Sequence, residues 1–180
     1  MFIQTEKTPN PNSLKFIPGK KVLNSGNLEI SEKTQIDNEL IKNIISINGV
    51  ESIFLSEDFL SVKKKEETDW QDLIYIIKSF INDYYSSGKE IVIDENNKSL
   101  NEDDLEDIEK KIISILDTKI RPAVERDGGD IKFQEFSNGI VKVKLQGSCS
   151  GCPSSTMTLK QGVQNLLCHY IPEVKEVLAI

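Results

Sequence analysis

Residues 94–104, DENNKSLNEDD, carry a single apolar side chain, Leu100. A stretch this polar cannot enter a core and reads as a linker. The apolar residues on either side of it must then be buried separately, so the 180-residue chain is read as two small domains rather than one large one. The boundaries taken are 1–88 for the first domain, 89–102 for the linker and 103–180 for the second. Hydrophobic residues make up 38% of the chain, enough for two cores and too many for wholesale disorder.

In the first domain Phe2-Ile3-Gln4-Thr5 reads as a short strand. Pro9-Asn10-Pro11-Asn12 is a rigid turn, because each proline fixes its own φ and pushes its predecessor toward extended backbone. Ser13–Ile17 resumes a strand. Leu40, Ile41, Ile44 and Ile45 fall at helical spacing, with Asp37 or Asn38 as N-cap and Gly49 as terminator. Val50–Leu55 and Phe59–Val62 form a hairpin. A longer helix over 69–85 buries Trp70, Leu73, Ile74, Ile77, Phe80 and Ile81, and Gly88 closes it. Ile91 and Ile93 are read as a further short strand. The run Lys63-Lys64-Lys65, followed at once by Glu66 and Glu67, is read as a solvated strand end.

The second domain opens with apolar residues at Leu105, Ile108, Ile112, Ile115, Leu116 and Ile120, one amphipathic helix with a kink or new turn at Arg121-Pro122. Asp127-Gly128-Gly129-Asp130 is read as a turn, and its place relative to other segments is left open. Ile131 and Phe133 begin a strand, Asn138-Gly139 marks a hairpin, and the next strand alternates Val141, Val143 and Leu145 against Lys142, Lys144 and Gln146. A loop, Gly147-Ser148-Cys149-Ser150-Gly151-Cys152-Pro153, leads into a helix marked by Leu159, Val163, Leu166, Leu167 and Tyr170. Pro172 ends that helix and Val174–Leu178 returns as a strand. The fold class is α+β in both domains, the second a small helix-covered sheet with a CxxC loop before a helix.

Charge excludes some partners. Residues 1–100 hold 16 of the 29 acidic and 12 of the 22 basic side chains. Neither half has a basic surplus, which disfavours nucleic acid. No stretch approaches the roughly 18 apolar residues of a membrane span, and MFIQTEKTPN is neither a secretory signal nor an Arg-rich transit peptide. Three cysteines, two of them in one CxxC, are not a disulfide framework; a reducing compartment fits them better.

Cys149 and Cys152 sit between a strand end and a helix start, with Pro153 suited to the first helical position. A three-residue offset there can set both sulfurs on one side. The unpaired N–H groups and positive end of the helix favour thiolate, the form that ligates metal. Gly147 and Gly151 remove side chains beside the sulfurs. Two thiolates do not close a site: structural zinc and iron–sulfur clusters both take four ligands. Cys168 lies 16 residues past Cys152, on the order of 24 Å away along a continuous helix at about 1.5 Å per residue, and His169 fails with it. Both are read as ordinary helix-end residues. The simplest completion is a second protomer whose CxxC faces the first across a two-fold axis. Thiol–disulfide exchange at the same CxxC and a zinc-bridged structural dimer remain as alternatives.

Segment DGGDIKFQEFSNGIVKVKLQGSCSGCP, followed by SSTMTLKQGVQNLL, resembles the NifU-like C-terminal domain of Nfu-type proteins. MFIQTEKTPNPNSLKFIPG, with GVESIFLSEDFLSV further on, resembles their N-terminal domain. The resemblance covers nearly the whole chain and is weakest over residues 20–36 and the linker. It implies an iron–sulfur cluster scaffold and carrier, not an enzyme. The cluster is expected to be 4Fe–4S in preference to 2Fe–2S, held between Cys149 and Cys152 of two protomers and passed to client apoproteins. It also implies work beside other assembly factors. Cys168 lies outside the family's ligand motif. The N-terminal domain, without cysteine or histidine, is expected to recognise clients or partner carriers. Because Met1 opens directly on that domain, a bacterial cytoplasm is the expected location, with a mature mitochondrial-matrix form as the alternative.

Overall fold

The computed structural model describes residues 2–31, 37–91, 106–151 and 153–180, with backbone alone for 153–156. It separates into two compact units, residues 1–94 and 95–180, each with its own apolar core. Both mix helices with a sheet, as the α+β reading requires.

The first unit contains β1 (Gln4–Lys7), β2 (Ser13–Ile17), β3 (Leu28–Ser31), α1 (Glu39–Ile45), β4 (Val50–Leu55), β5 (Leu60–Lys64) and α2 (Trp70–Ser86). Its antiparallel sheet runs β1-β2-β5-β4-β3. β1 starts two residues later than the sequence pattern places it, with Ile3 buried and Phe2 exposed. β3 was not foreseen. Side chains build the turn between β1 and β2: the Thr8 hydroxyl donates to the Ser13 carbonyl at 2.9 Å, and the Asn12 N–H donates to Asn10 Oδ1 at 2.9 Å. Lys64 corrects the solvated-cluster reading. It is buried, its ammonium donating to Asn12 Oδ1 at 3.0 Å and its backbone N–H to the Asn12 carbonyl at 2.8 Å, so it pins β5 to the proline turn. Asn38 caps α1 by accepting from the Ile41 N–H at 3.2 Å, and its amide donates to Tyr84 Oη at 3.0 Å. The buried row of α2 is Leu73, Ile77, Ile81 and Tyr84. Trp70, Ile74 and Phe80, predicted within that row, flank it half-buried, and the Trp70 indole N–H donates to the Pro11 carbonyl at 3.0 Å. Ile91 is buried but is not in a strand; Ile93 and the linker stretch 94–104 lie outside the described residues.

The second unit runs α3 (Asp107–Ile115), a π turn (Leu116–Ile120), α4 (Arg121–Arg126), β6 (Gly129–Ser137), β7 (Ile140–Gly147), α5 (Pro153–Tyr170) and β8 (Glu176–Ala179). The new turn expected at Arg121-Pro122 is present: α4 starts at Arg121 with Pro122 in its first turn, and a π turn leads into it. The Arg121 N–H donates to the Leu116 carbonyl, a wider turn that carries the chain past a proline with no N–H and a bulky ring. The sheet order is β6-β7-β8, the first pair antiparallel and the second parallel. Asn138 and Gly139 both take positive φ, 54° and 83°, as a two-residue hairpin turn demands. Val141, Val143 and Leu145 enter the core. Gln146, expected on the polar face, is buried opposite Asp130, because this end of the hairpin is covered on both faces and alternation no longer reports exposure.

Candidate functional site

The loop between β7 and α5 is held by the opposite end of the hairpin. In the β6–β7 register Gly129 pairs with Gly147 and Asp130 with Gln146, which brings the Asp127-Gly128-Gly129-Asp130 segment against the cysteine loop. Asp127 and Gly128 make the turn, Gly128 with φ 83°; Gly129 and Asp130 already belong to the strand. Ser148 ties the two together: its backbone N–H donates to the Gly128 carbonyl at 3.1 Å, and its hydroxyl donates to the Asp127 carbonyl. The Ser150 N–H folds back onto the Gly147 carbonyl at 3.1 Å, joined by its hydroxyl at 2.9 Å. Gly147 and Gly151 take φ of 64° and 73°, a left-handed backbone that a side chain resists.

Cys149 packs into this frame and is 6% exposed. Its sulfur rests against Gly129, where an added Cβ would lie 2.8 Å from Sγ and 2.5 Å from the Gln146 carbonyl oxygen. The glycine therefore keeps a space for sulfur, and the donor beside that space suits a soft metal. Burial pushes the Cys149 thiol up to about 11; the Ser148 hydroxyl, 3.9 Å from Sγ, opposes the rise and the Asp127 and Asp130 carboxylates add to it. The thiolate expected at a helix start is thus not the resting form, since desolvation and the two carboxylates outweigh the Ser148 hydroxyl. A metal taking this sulfur must displace its proton.

Asp130, 1% exposed, accepts from Arg121 Nε at 3.0 Å and from the Ile131 N–H at 2.7 Å. Arg121 also donates to the Ile131 carbonyl at 3.3 Å and pairs with Asp117 at 2.8 Å. The sequence offered no cue to this support. Asp130 and Arg121 are distant from the CxxC in the chain, and only the strand register unites them with it.

Two family descriptions match the chain: NifU-like domain over residues 112–178, and scaffold protein Nfu/NifU N terminal over residues 3–88. A Homo sapiens protein named "NFU1 iron-sulfur cluster scaffold homolog, mitochondrial" is 46% identical over 181 residues, spanning 98% of this chain and 71% of the human one. The chain belongs to the Nfu family. A second Nfu relative, "NifU-like protein 4, mitochondrial" from Arabidopsis thaliana, is 44% identical over 98% of this chain and 65% of its own length. The chain thus spans about two thirds of these relatives. The solution NMR structure of a NifU-like protein from Saccharomyces cerevisiae overlays 53% of this chain and 87% of that one, with a TM-score of 0.47 and 24% identity.

On this Nfu chain Cys152, the second predicted ligand, lies outside the described residues, between Gly151 and the first residue of α5. Cys168 is half-buried against the second core. α5 is continuous from Pro153 to Tyr170, so Cys168 and His169 stand at its far end from the loop. The His169 ring meets Tyr170 edge-on with centroids 5.0 Å apart. No helix among the described residues is long and apolar enough to cross a membrane.

Proposed function

We propose that this Nfu protein carries an iron–sulfur cluster, 4Fe–4S rather than 2Fe–2S, between the Cys149–Cys152 pairs of two protomers and hands it to client apoproteins without turnover of its own. The observation that carries this reading is a two-thiol loop in a chain whose relatives are named as iron–sulfur cluster scaffolds. A pair of thiols is half of a cluster's ligand set, and a second copy supplies the other half by symmetry. A site completed that way opens when the copies part, which suits cargo better than a permanent cofactor. Cys149 is buried, so cluster ligation and thiol–disulfide exchange alike require the loop to expose its sulfur. What disfavours exchange is that the loop follows an antiparallel hairpin in a three-stranded sheet, which is not a thioredoxin-like fold. The mitochondrial names of the relatives favour the matrix over the bacterial cytoplasm as the place of action. The first unit, which holds no cysteine or histidine, is assigned to client or partner recognition.

The test is anaerobic reconstitution with ferrous iron and sulfide, followed by metal and sulfide counts and mass in solution. The reading expects about four irons and four sulfides per two chains, as a cubane on four thiolates requires. Zinc without sulfide in the isolated protein would return the zinc-bridged dimer. A colourless monomer whose cysteines exchange disulfides would return the redox reading.

A further inference from the structure

A cleft of about 190 Å³ lies in the first unit, where the loop between β2 and β3 meets the C-terminal end of α2. Its floor is apolar, made by the buried side chains of Val22, Leu23 and Ile91. Hydrogen bonds brace both segments. The Tyr85 hydroxyl donates to the Lys21 carbonyl at 3.3 Å, and the Val22 N–H donates to the Glu57 carbonyl at 2.7 Å. On the other segment the Tyr84 hydroxyl donates to the Glu90 carbonyl at 2.9 Å. The rim is charged. Lys20, Lys21, Lys89 and Glu90 line it and are exposed, three cations against one carboxylate in a chain of net charge −7. The Lys89 ammonium is paired with Glu39. Lys20 and Lys21 form no ion pair with a described residue.

We infer that this cleft binds an acidic peptide segment of a partner protein, one apolar side chain seated on the floor and carboxylates beside it paired with Lys20 and Lys21. The inference rests on the proposed recognition role of the first unit and adds the place and the chemistry. Volume sets the apolar half of the motif. A cavity of about 150 Å³ accepts a benzene ring, so this cleft has room for one aliphatic or aromatic side chain and none for a whole helix. Charge sets the other half. The chain as a whole repels an acidic partner, and the two lysines mark where one can approach. Their pairs with carboxylates guide encounter and fix register, while the apolar side chain, desolvated on the floor, holds the segment. Because the tyrosine hydrogen bonds already brace both segments, binding orders little of this chain and loses little affinity to it. A flat anionic surface such as a membrane would meet the lysines and leave the floor empty, so the floor favours a peptide.

The test uses the full chain and a fluorescein-labelled synthetic peptide with one leucine between two pairs of glutamates, followed by fluorescence anisotropy at low salt. Saturable binding is expected. Changing Lys20→Glu and Lys21→Glu together, both at exposed positions, should weaken it about tenfold or more, and so should a serine in place of the peptide's leucine. A peptide that binds the double variant as it binds wild type would overturn the cleft. So would a peptide whose leucine can be exchanged for serine without loss, since charge alone would then account for binding. Absence of saturation up to about 1 mM peptide would overturn it as well. Vesicles of anionic lipid that bind wild type, lose the double variant and displace the peptide would give the lysines to a membrane and end the proposal. Failure of the recognition reading itself shows in a different assay, as client delivery that is not slowed when residues 1–90 are removed.

Discussion

Gly129 has a hydrogen where any other residue would put carbon, and that carbon would sit 2.5 Å from the Gln146 carbonyl oxygen and 2.8 Å from Cys149 Sγ. The carbonyl belongs to a hairpin partner and cannot swing aside as a flexible side chain could. Gly129→Ala should therefore destabilise the second unit by about 1–3 kcal/mol, the usual cost of overpacking, and displace the sulfur. Denaturant unfolding and iron content after reconstitution measure the two effects; an unchanged midpoint would mean that the strand relaxes freely. Cys149→Ser should lose the cluster while the far-UV circular dichroism stays that of the folded chain, whereas Cys168→Ser should keep it. A full iron and sulfide count in the Cys149 variant would remove this residue from the ligand set. The CxxC could be read from sequence because its meaning is local: two sulfurs three residues apart before a helix. The space at Gly129 could not, since it arises only when the hairpin register sets Gly129 opposite Gly147. Lys64 misled for a similar reason. Its charge predicts solvent, but Asn12, 52 residues away, supplies the acceptor that allows burial.

At the scale of elements, long periodic helices such as α2 and α5 were legible because many apolar positions vote for one face. β3 was not, being four residues with two apolar side chains, stabilised by pairing with β4 rather than by its own pattern. Pro122 signalled a turn here, but the π form over Leu116–Ile120 was hidden, since spacings of three and four over 105–120 suit a regular helix just as well. Its consequence is mechanical. It precedes Arg121, whose guanidinium reaches Asp117, Asp130 and the Ile131 carbonyl, tying the helical segment to the base of β6. Arg121→Ala leaves the Asp130 carboxylate, 1% exposed, with the Ile131 N–H as its one remaining donor among the contacts described. The expected cost is about 2–4 kcal/mol of second-unit stability, in the range for an uncompensated buried charge. Arg121→Lys should recover part of it, because a single ammonium cannot serve three acceptors in the fork geometry. Urea midpoints of the two variants decide the matter: equal and near-wild-type midpoints would show that Asp130 finds water instead.

For the whole molecule, two units with separate cores imply that ligation and delivery can be separated. The cysteines all lie in the second unit, whose core draws on α3 through β8. Its folding and its half of the ligand set therefore do not call on the first. On the proposed reading the first unit attaches a client, and a client so tethered would see the cluster at a roughly millimolar effective concentration set by the linker. Removing residues 1–90 should leave iron and sulfide per dimer unchanged, and should slow activation of a client apoprotein on the order of tenfold or more at micromolar client. The comparison needs both readouts from one preparation. Loss of the cluster in the shortened chain would show that the second unit depends on the first for its fold. Equal delivery rates to every client tried would refute the recognition role and leave the first unit without a part in transfer. Slower delivery with an intact cluster would fix the division of labour: one unit holds the cargo and the other holds the recipient.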